Sequence, residues 1–353
     1  MLVRPPTDES ECELIYLVVV PCIMWDGLRD SIVDVIRRNV EGKDIGVACS
    51  GGLDSGLVSA IAKEYANSVT LYTCGTANAF DVAMGRDLSE KLDLPFVHVV
   101  LTKGMMEDLI KEMVTATGVS DPFTISYELQ LFSVCKECGQ DVILTGQGAD
   151  EYFMGCAKYV GQTREEFDLL KDAGVERLLN VSVPCEMAIA DHFGKTLVYP
   201  YLDEGVRAEV ARIDPELLIP KDMDSRKQVL KDVAVDLGYG FLAERKKKSS
   251  QYGSGTTDLI RAIARERGVG YANLIATLYD EVVYGSKQSE RGAVVNARID
   301  PIVKIKAEKI LMERGLSPSD AIEGFYRDII ESEERRRRIL RFFRDYSYKL
   351  WAL

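Results

Sequence analysis

The chain has 353 residues, 46% hydrophobic and 28% charged, with a formal net charge of −12 at pH 7. At roughly 100–200 residues per domain, that predicts two or three domains with sizeable cores. It excludes a fibrous chain, a mostly disordered one, a disulfide-stapled mini-protein and a general nucleic-acid binder.

The charge is uneven. Residues 286–353 carry 15 Lys+Arg against 11 Asp+Glu, a net of +4, while the remainder carries 29 against 45, a net of −16. A basic tail on an acidic body predicts a separate C-terminal module. The eight Cys are scattered, several in apolar runs such as Val47-Ala48-Cys49. This is the pattern of free thiols in a cytoplasmic protein.

Residues 1–24 read as an N-terminal extension with a frayed start and an extra strand near 14–20. The apolar run 14–25 is broken by Pro21 and follows Asp8, Glu9, Glu11 and Glu13. About 12 residues fall short of the roughly 18 that span a bilayer, and an acidic flank is not a secretory n-region. Neither anchor nor signal peptide is expected, and no membrane partner. Helical periodicity covers 26–40, where Leu28, Ile32, Val35, Ile36 and Val40 share one stripe. Strands are predicted at 44–49, 69–74, 96–101 and 141–145, with helices at 56–66, 81–92, 105–115 and 126–138. That alternation predicts an α/β core over 25–155, a parallel sheet wrapped by helices. Segment 156–285 reads as mainly helical, with a linker near 285–292 and a module at 293–353.

Ser50-Gly51-Gly52-Leu53-Asp54-Ser55 lies between a predicted strand and a predicted helix. Two glycines let backbone approach an anion, and the following helix presents free N–H groups. The serines add hydroxyls, and Asp54 offers a ligand to Mg²⁺. No G-x-x-x-x-G-K-[ST] is present, so this is not a loop of the Walker type. It resembles the SGGxDS loop of the N-type ATP pyrophosphatases, the adenine nucleotide alpha hydrolase-like fold. That implies binding of ATP and pyrophosphate by Ser50, Gly51, Gly52, Leu53, Asp54 and Ser55.

Gly146-Gln147-Gly148-Ala149-Asp150-Glu151-Tyr152-Phe153-Met154-Gly155 resembles the GEGADE-x-F-x-G segment of the asparagine synthetase C-terminal domain. Pro200-Tyr201-Leu202-Asp203 resembles that family's P-F-L-D, and Arg245-Lys246-Lys247 its R-x-K. Alone, Asp150-Glu151 reads as helix capping and Lys246–Lys248 as a solvated face. Four motifs in family order over about 25–285 outweigh those readings. The resemblance implies that ATP adenylates a small aspartate-like carboxylate, pyrophosphate leaves, and ammonia or another amine displaces AMP. It implies Lys247, Asp203 and Gln147 as catalytic residues, Gly146 and Gly148 beside the phosphates, and Asp54 with Asp150 on Mg²⁺. Ligands in such sheets lie at the carboxyl ends of strands, where Asp150 can face Asp54.

The chain departs from the family in three places. The GEG glutamate is Gln147, and an amide cannot act as a base. Val198 stands where the family has arginine. Complete asparagine synthetases begin with a glutaminase domain whose nucleophile is the cysteine after Met1. Here position 2 is Leu2, and Cys12 has no free amine beside it. The expected amine source is ammonia, another amine, or a separate glutaminase partner. Alternative readings are modification of a tRNA base, or an ATP- or metabolite-sensing DNA-binding regulator.

Cys135-Lys136-Glu137-Cys138 allows a redox pair, half a metal site or a sulfur carrier. Helical spacing and the lack of a second pair favour core packing. In the tail, 293–300 alternates as a strand, 301–313 follows as a helix, and Ser317-Pro318-Ser319-Asp320 caps another. This resembles the ribbon-helix-helix fold of RelB/DinJ-type antitoxins. The resemblance implies a homodimer and possible DNA binding, with Asn296 and Arg298 as base readers.

Overall fold

The computed structural model describes residues 25–245, 250–285, 295, 299–331, 333 and 336–337. The chain divides into two compact units, Met1–Asn296 and Ala297–Leu353. The first is built on five parallel strands, β1 (Asp44–Ala48), β2 (Ser68–Gly75), β3 (Phe96–Val100), β4 (Val142–Leu144) and β5 (Thr196–Val198). Their order is β3-β2-β1-β4-β5. Val47 of β1 stands opposite Leu71 on one side and Leu144 on the other. Ile45, Val47, Leu71, Ile143 and Leu144 are fully buried, as expected of strands covered on both faces.

Through β3 the helices are α1 (Asp26–Val40), α2 (Leu53–Tyr65) and α3 (Phe80–Leu92). Next come α4 (Met106–Thr117), α5 (Pro122–Glu137), the one-turn α6 (Ala149–Tyr152) and α7 (Arg164–Arg177). A π-helical turn over Leu178–Ser182 leads into α8 (Val183–His192), and α9 (Glu204–Arg212) follows β5. The rest are α10 (Pro215–Leu218), α11 (Gln228–Asp236), α12 (Ser250–Gly253), α13 (Thr256–Glu266) and α14 (Tyr271–Tyr284). The predicted stripe of α1 is its buried face: Leu28, Ile32, Val35, Ile36 and Val40. Among the described residues no helix is long and apolar enough to cross a membrane.

Two expectations need correction. Helix α2 begins at Leu53, so half of the predicted turn is the helix's first turn. Helix α5 begins earlier than 126, because the Asp121 carboxylate caps it by accepting the Thr124 N–H at 2.9 Å and Pro122 fits its first position. Segment 156–285 is mainly helical as expected but also contributes strand β5, whose three residues give no legible period.

The cysteine pair is packing. Cys135 and Cys138 are buried and free, and a Cβ at Gly46 of β1 would stand 2.5 Å from the Cys138 sulfur. Burial pushes the Cys135 thiol up to about 12 and the Cys138 thiol upward too, away from the thiolate that redox or metal chemistry needs.

In the second unit, α15 (Pro301–Glu313) is capped by Asp300, which accepts the Ile302 N–H at 2.9 Å. Gly315 takes a left-handed conformation, φ 69°. Ser317 and Asp320 then cap α16 (Pro318–Glu331) reciprocally. Val303, Ile310 and Ile330 are more than half exposed. The strand predicted over 293–300 lies mostly outside the described residues; of it Val295, Ile299 and Asp300 are described, without regular structure.

Candidate active site

The chain steps from β1 outward to β2 and β3, then returns to place β4 on the other side of β1. Loops after β1 and β4 therefore diverge, and a crevice opens at the carboxyl ends of these two strands. The cleft there holds about 850 Å³ of empty space, the open solvent at its mouth included.

Its floor is the turn 49–52. Gly51 has φ 72°, and a Cβ there would meet the Met84 carbonyl carbon at 2.4 Å and the Gly85 nitrogen at 2.5 Å. Only glycine fits both the conformation and the approach of α3. Gly52 is the N-cap of α2, and among the described residues no side chain caps the helix start. The start of this largely buried helix is thus open to an anion. The Ser50 and Ser55 hydroxyls stand 3.4 Å apart. The β4 turn closes against the same place: a Cβ on Gly146 would be 3.0 Å from the Asp54 Cβ. Gly148, with φ 90°, lets Leu202 pack against it.

The two carboxylates predicted to act together are joined by a residue that sequence reasoning missed. Lys227, only 6% exposed along its side chain, reaches Asp54 Oδ2 at 2.5 Å and Asp150 Oδ1 at 2.6 Å. It sits in a left-handed conformation, φ 57°, ahead of α11. A Cβ on Gly155 would lie 2.1 Å from its Cε, so the glycine that closes the second motif makes room for this lysine. The carboxylates accommodate a cation between them, and their oxygens suit a hard ion such as Mg²⁺ completed by phosphate and water. Among the described residues there is no group of three or more metal-ligating side chains.

The other half of the cleft is acidic. Gln147 Nε2 donates to Glu186 Oε1 at 2.5 Å. Glu186 of α8 and Glu128 of α5 are both 2% exposed and both line the cleft. Burial pushes the Glu186 carboxyl up to about 8, and burial with the neighbouring Glu186 pushes Glu128 well up too. The sequence held one signal for them, an acid inside an apolar stretch, as in Tyr127-Glu128-Leu129 and Cys185-Glu186-Met187.

Asp203 is not among the residues lining the cleft. Its carboxylate caps α9, accepting the Gly205 N–H at 2.9 Å, and pairs with Arg38. The P-Y-L-D segment touches the site through Tyr201, whose hydroxyl donates to the Asp54 carbonyl at 3.0 Å. Arg245 ties the R-x-K segment to the phosphate turn. It donates to the Gly51 carbonyl, to the Met84 carbonyl at 2.5 Å and to Asp87 Oδ2 at 2.7 Å. Lys247 lies outside the described residues, as do Asn296 and Arg298.

Residues 27–184 match the family model Asn_synthase, asparagine synthase. A protein of Methanocaldococcus jannaschii provisionally named a glutamine-hydrolysing asparagine synthetase is 28% identical over 282 residues, covering 68% of this chain and 51% of its own length. A glutamine-hydrolysing asparagine synthetase of Arabidopsis thaliana is 25% identical over 208 residues, covering 54% of this chain and 35% of its own. The chain thus spans about half the length of the first relative and about a third of the second. Among solved structures, an NMN synthetase from Francisella tularensis aligns over 78% of this chain and 99% of its own with a TM-score of 0.32 and 13% identity.

Proposed function

We propose that the first unit is an ATP-dependent, AMP-forming amide ligase. A carboxylate attacks the α-phosphorus of ATP, pyrophosphate leaves, and an amine then attacks the acyl adenylate and displaces AMP. The observation that carries this is the phosphate turn at the start of α2 with Asp54, Lys227 and Asp150 gathered beside it. The N–H groups of Gly52 and Leu53 and the Ser50 and Ser55 hydroxyls hold phosphate oxygens. The Lys227 ammonium offsets charge on the departing pyrophosphate. Asp54 and Asp150 would hold Mg²⁺, which when bound supplies positive charge to the phosphates. Arg245 keeps its segment on the turn, so Lys247, two residues on, is proposed to serve the α-phosphate. Gln147 positions a cleft carboxyl and is not itself a base.

The match to the asparagine synthase model supports an amino-acid carboxylate as substrate and ammonia as one amine. A screen of carboxylates for acid-dependent pyrophosphate exchange into ATP tests the reading. One or more amino acids should support exchange, and Asp54→Ala should lower it by about 10²-fold or more, since electrostatic stabilisation of phosphate charge is a large catalytic contribution. ADP and phosphate as products would sink it.

For the second unit we propose pairing with another copy, supported by the exposed Val303 and Ile310 on α15. Full-length protein should sediment as a dimer, and a chain cut after residue 290 as a monomer. DNA binding through Asn296 and Arg298 is tested by duplex titration at low salt, where Arg298→Ala should relax sequence preference.

A further inference from the structure

The carboxyl groups of Glu128 and Glu186 are not used by any phosphate chemistry. Both are 2% exposed. Glu128 and Glu186 lie beside each other and Glu186 beside the Tyr199 hydroxyl, yet among the described residues no fixed donor is aimed at Glu128 Oε1, at Glu186 Oε2 or at Gln130 Oε1 on the same cleft wall. Neither carboxyl forms an ion pair with a described residue. Orphaned acceptors at this depth cost stability unless something donates to them. Two buried carboxyls side by side on the wall of one cleft, with the Gln130 amide oxygen beside them, suit one class of occupant: a small cation rich in N–H groups. The Gln147 amide holds one oxygen of Glu186, and the other is buried without that donor. Gln147 leads into the turn that carries Asp150, so this acidic wall adjoins the adenylating half.

We propose that Glu128 and Glu186 form the amine end of the cleft, binding an ammonium ion or a primary ammonium group and taking its protons as the nitrogen attacks the activated carboxyl. The proposal rests on the ligase reading above. The bound cation gives one proton to Glu186. The freed lone pair forms the C–N bond to the acyl carbon, and the bond from that carbon to the AMP oxygen breaks. The attacking nitrogen sheds its second proton to Glu128. Amide, AMP and two protons result. A base is thereby supplied where an amide at position 147 cannot act as one. The groups that face the pair are Glu151, Arg177, Tyr199, Cys135 and Cys185. With no cation present, burial favours the protonated form of both carboxyls, and a bound ammonium displaces those protons.

Two measurements on the full chain test this. Without ATP or acid, at pH 8.5, ammonium or methylammonium chloride should raise the melting temperature by about 2–6 °C over equal tetramethylammonium chloride, which has no N–H. Glu128→Gln/Glu186→Gln should abolish that difference; an equal rise in both salts would overturn the proposal. In turnover, Glu186→Gln should cost amide formation about 10²–10⁴-fold. Pyrophosphate exchange should lose far less, and the acid limb of the pH profile should disappear. Equal losses in both half-reactions, or none, would also overturn it. Absence of exchange in the wild-type protein would instead reject the ligase reading, while the melting comparison still decides the amine site.

Discussion

Removing the Lys227 ammonium should expose how much of this fold depends on one buried cation. The lysine is 6% exposed, with Asp54 and Asp150 carboxylate oxygens at 2.5 and 2.6 Å. Lys227→Met keeps the stem and the backbone but leaves two acids facing each other. Deleting one partner of a buried ion pair costs about 3–5 kcal/mol, because the charge left behind is uncompensated. A loss within that range is expected at pH 8, where both carboxylates are charged. The carboxyls can relieve the repulsion by keeping a proton, each unit of upward pKa displacement being worth about 1.4 kcal/mol. The penalty should therefore shrink on going to pH 5. Urea unfolding of both proteins at the two pH values measures it. Magnesium at about 10 mM, by binding the folded variant between the vacated carboxylates, should recover more stability in Lys227→Met than in the wild type. A variant within about 0.5 kcal/mol of the wild type at pH 8, the ordinary scatter of surface substitutions, would refute the reasoning. So would a deficit that is the same at both pH values.

Gly51→Ala places a Cβ 2.4 Å from the Met84 carbonyl carbon at φ 72°. It should weaken ATP binding by at least about tenfold and cost about 1–3 kcal/mol of stability, read by calorimetric titration and urea unfolding. Arg245→Lys cannot reach the Gly51 and Met84 carbonyls and Asp87 together. It should lower stability by about 2–4 kcal/mol and raise the KM for ATP; an unchanged KM would show that the turn holds itself. The Glu186 carboxyl is raised in the folded state to about 8, so its contribution is fully present below the ordinary carboxylate range and is lost as pH rises to about 8. Wild-type stability should fall across that window relative to Glu186→Gln, and parallel pH curves would count against a buried neutral acid.

Local rules carried the sequence a long way. The 3.6-residue stripe of 26–40, the apolar strands and the Gly-Gly turn each depend on residues within one or two turns of each other, so five helices up to residue 138, four strands and the phosphate turn were legible. Strand β5 was not, because three residues carry no period and its place is set by pairing with β4. Helix α2 starts inside the motif, a matter of capping geometry rather than composition. The motifs brought Asp54 and Asp150 to one expected site, but nothing near Ser225-Arg226-Lys227 distinguishes a buried lysine from a solvated one. Lys227 is 173 residues from Asp54, and only the folded chain brings them within ion-pair distance. Asp203 shows the converse: a motif residue whose carboxylate the fold spends on capping α9 and pairing with Arg38. Glu128 and Glu186 stood in plain view as acids within apolar helices. That they line one cleft, with Gln147 holding Glu186, was decided by the packing of α5 and α8, because burial and charge coupling depend on distances that sequence spacing does not encode.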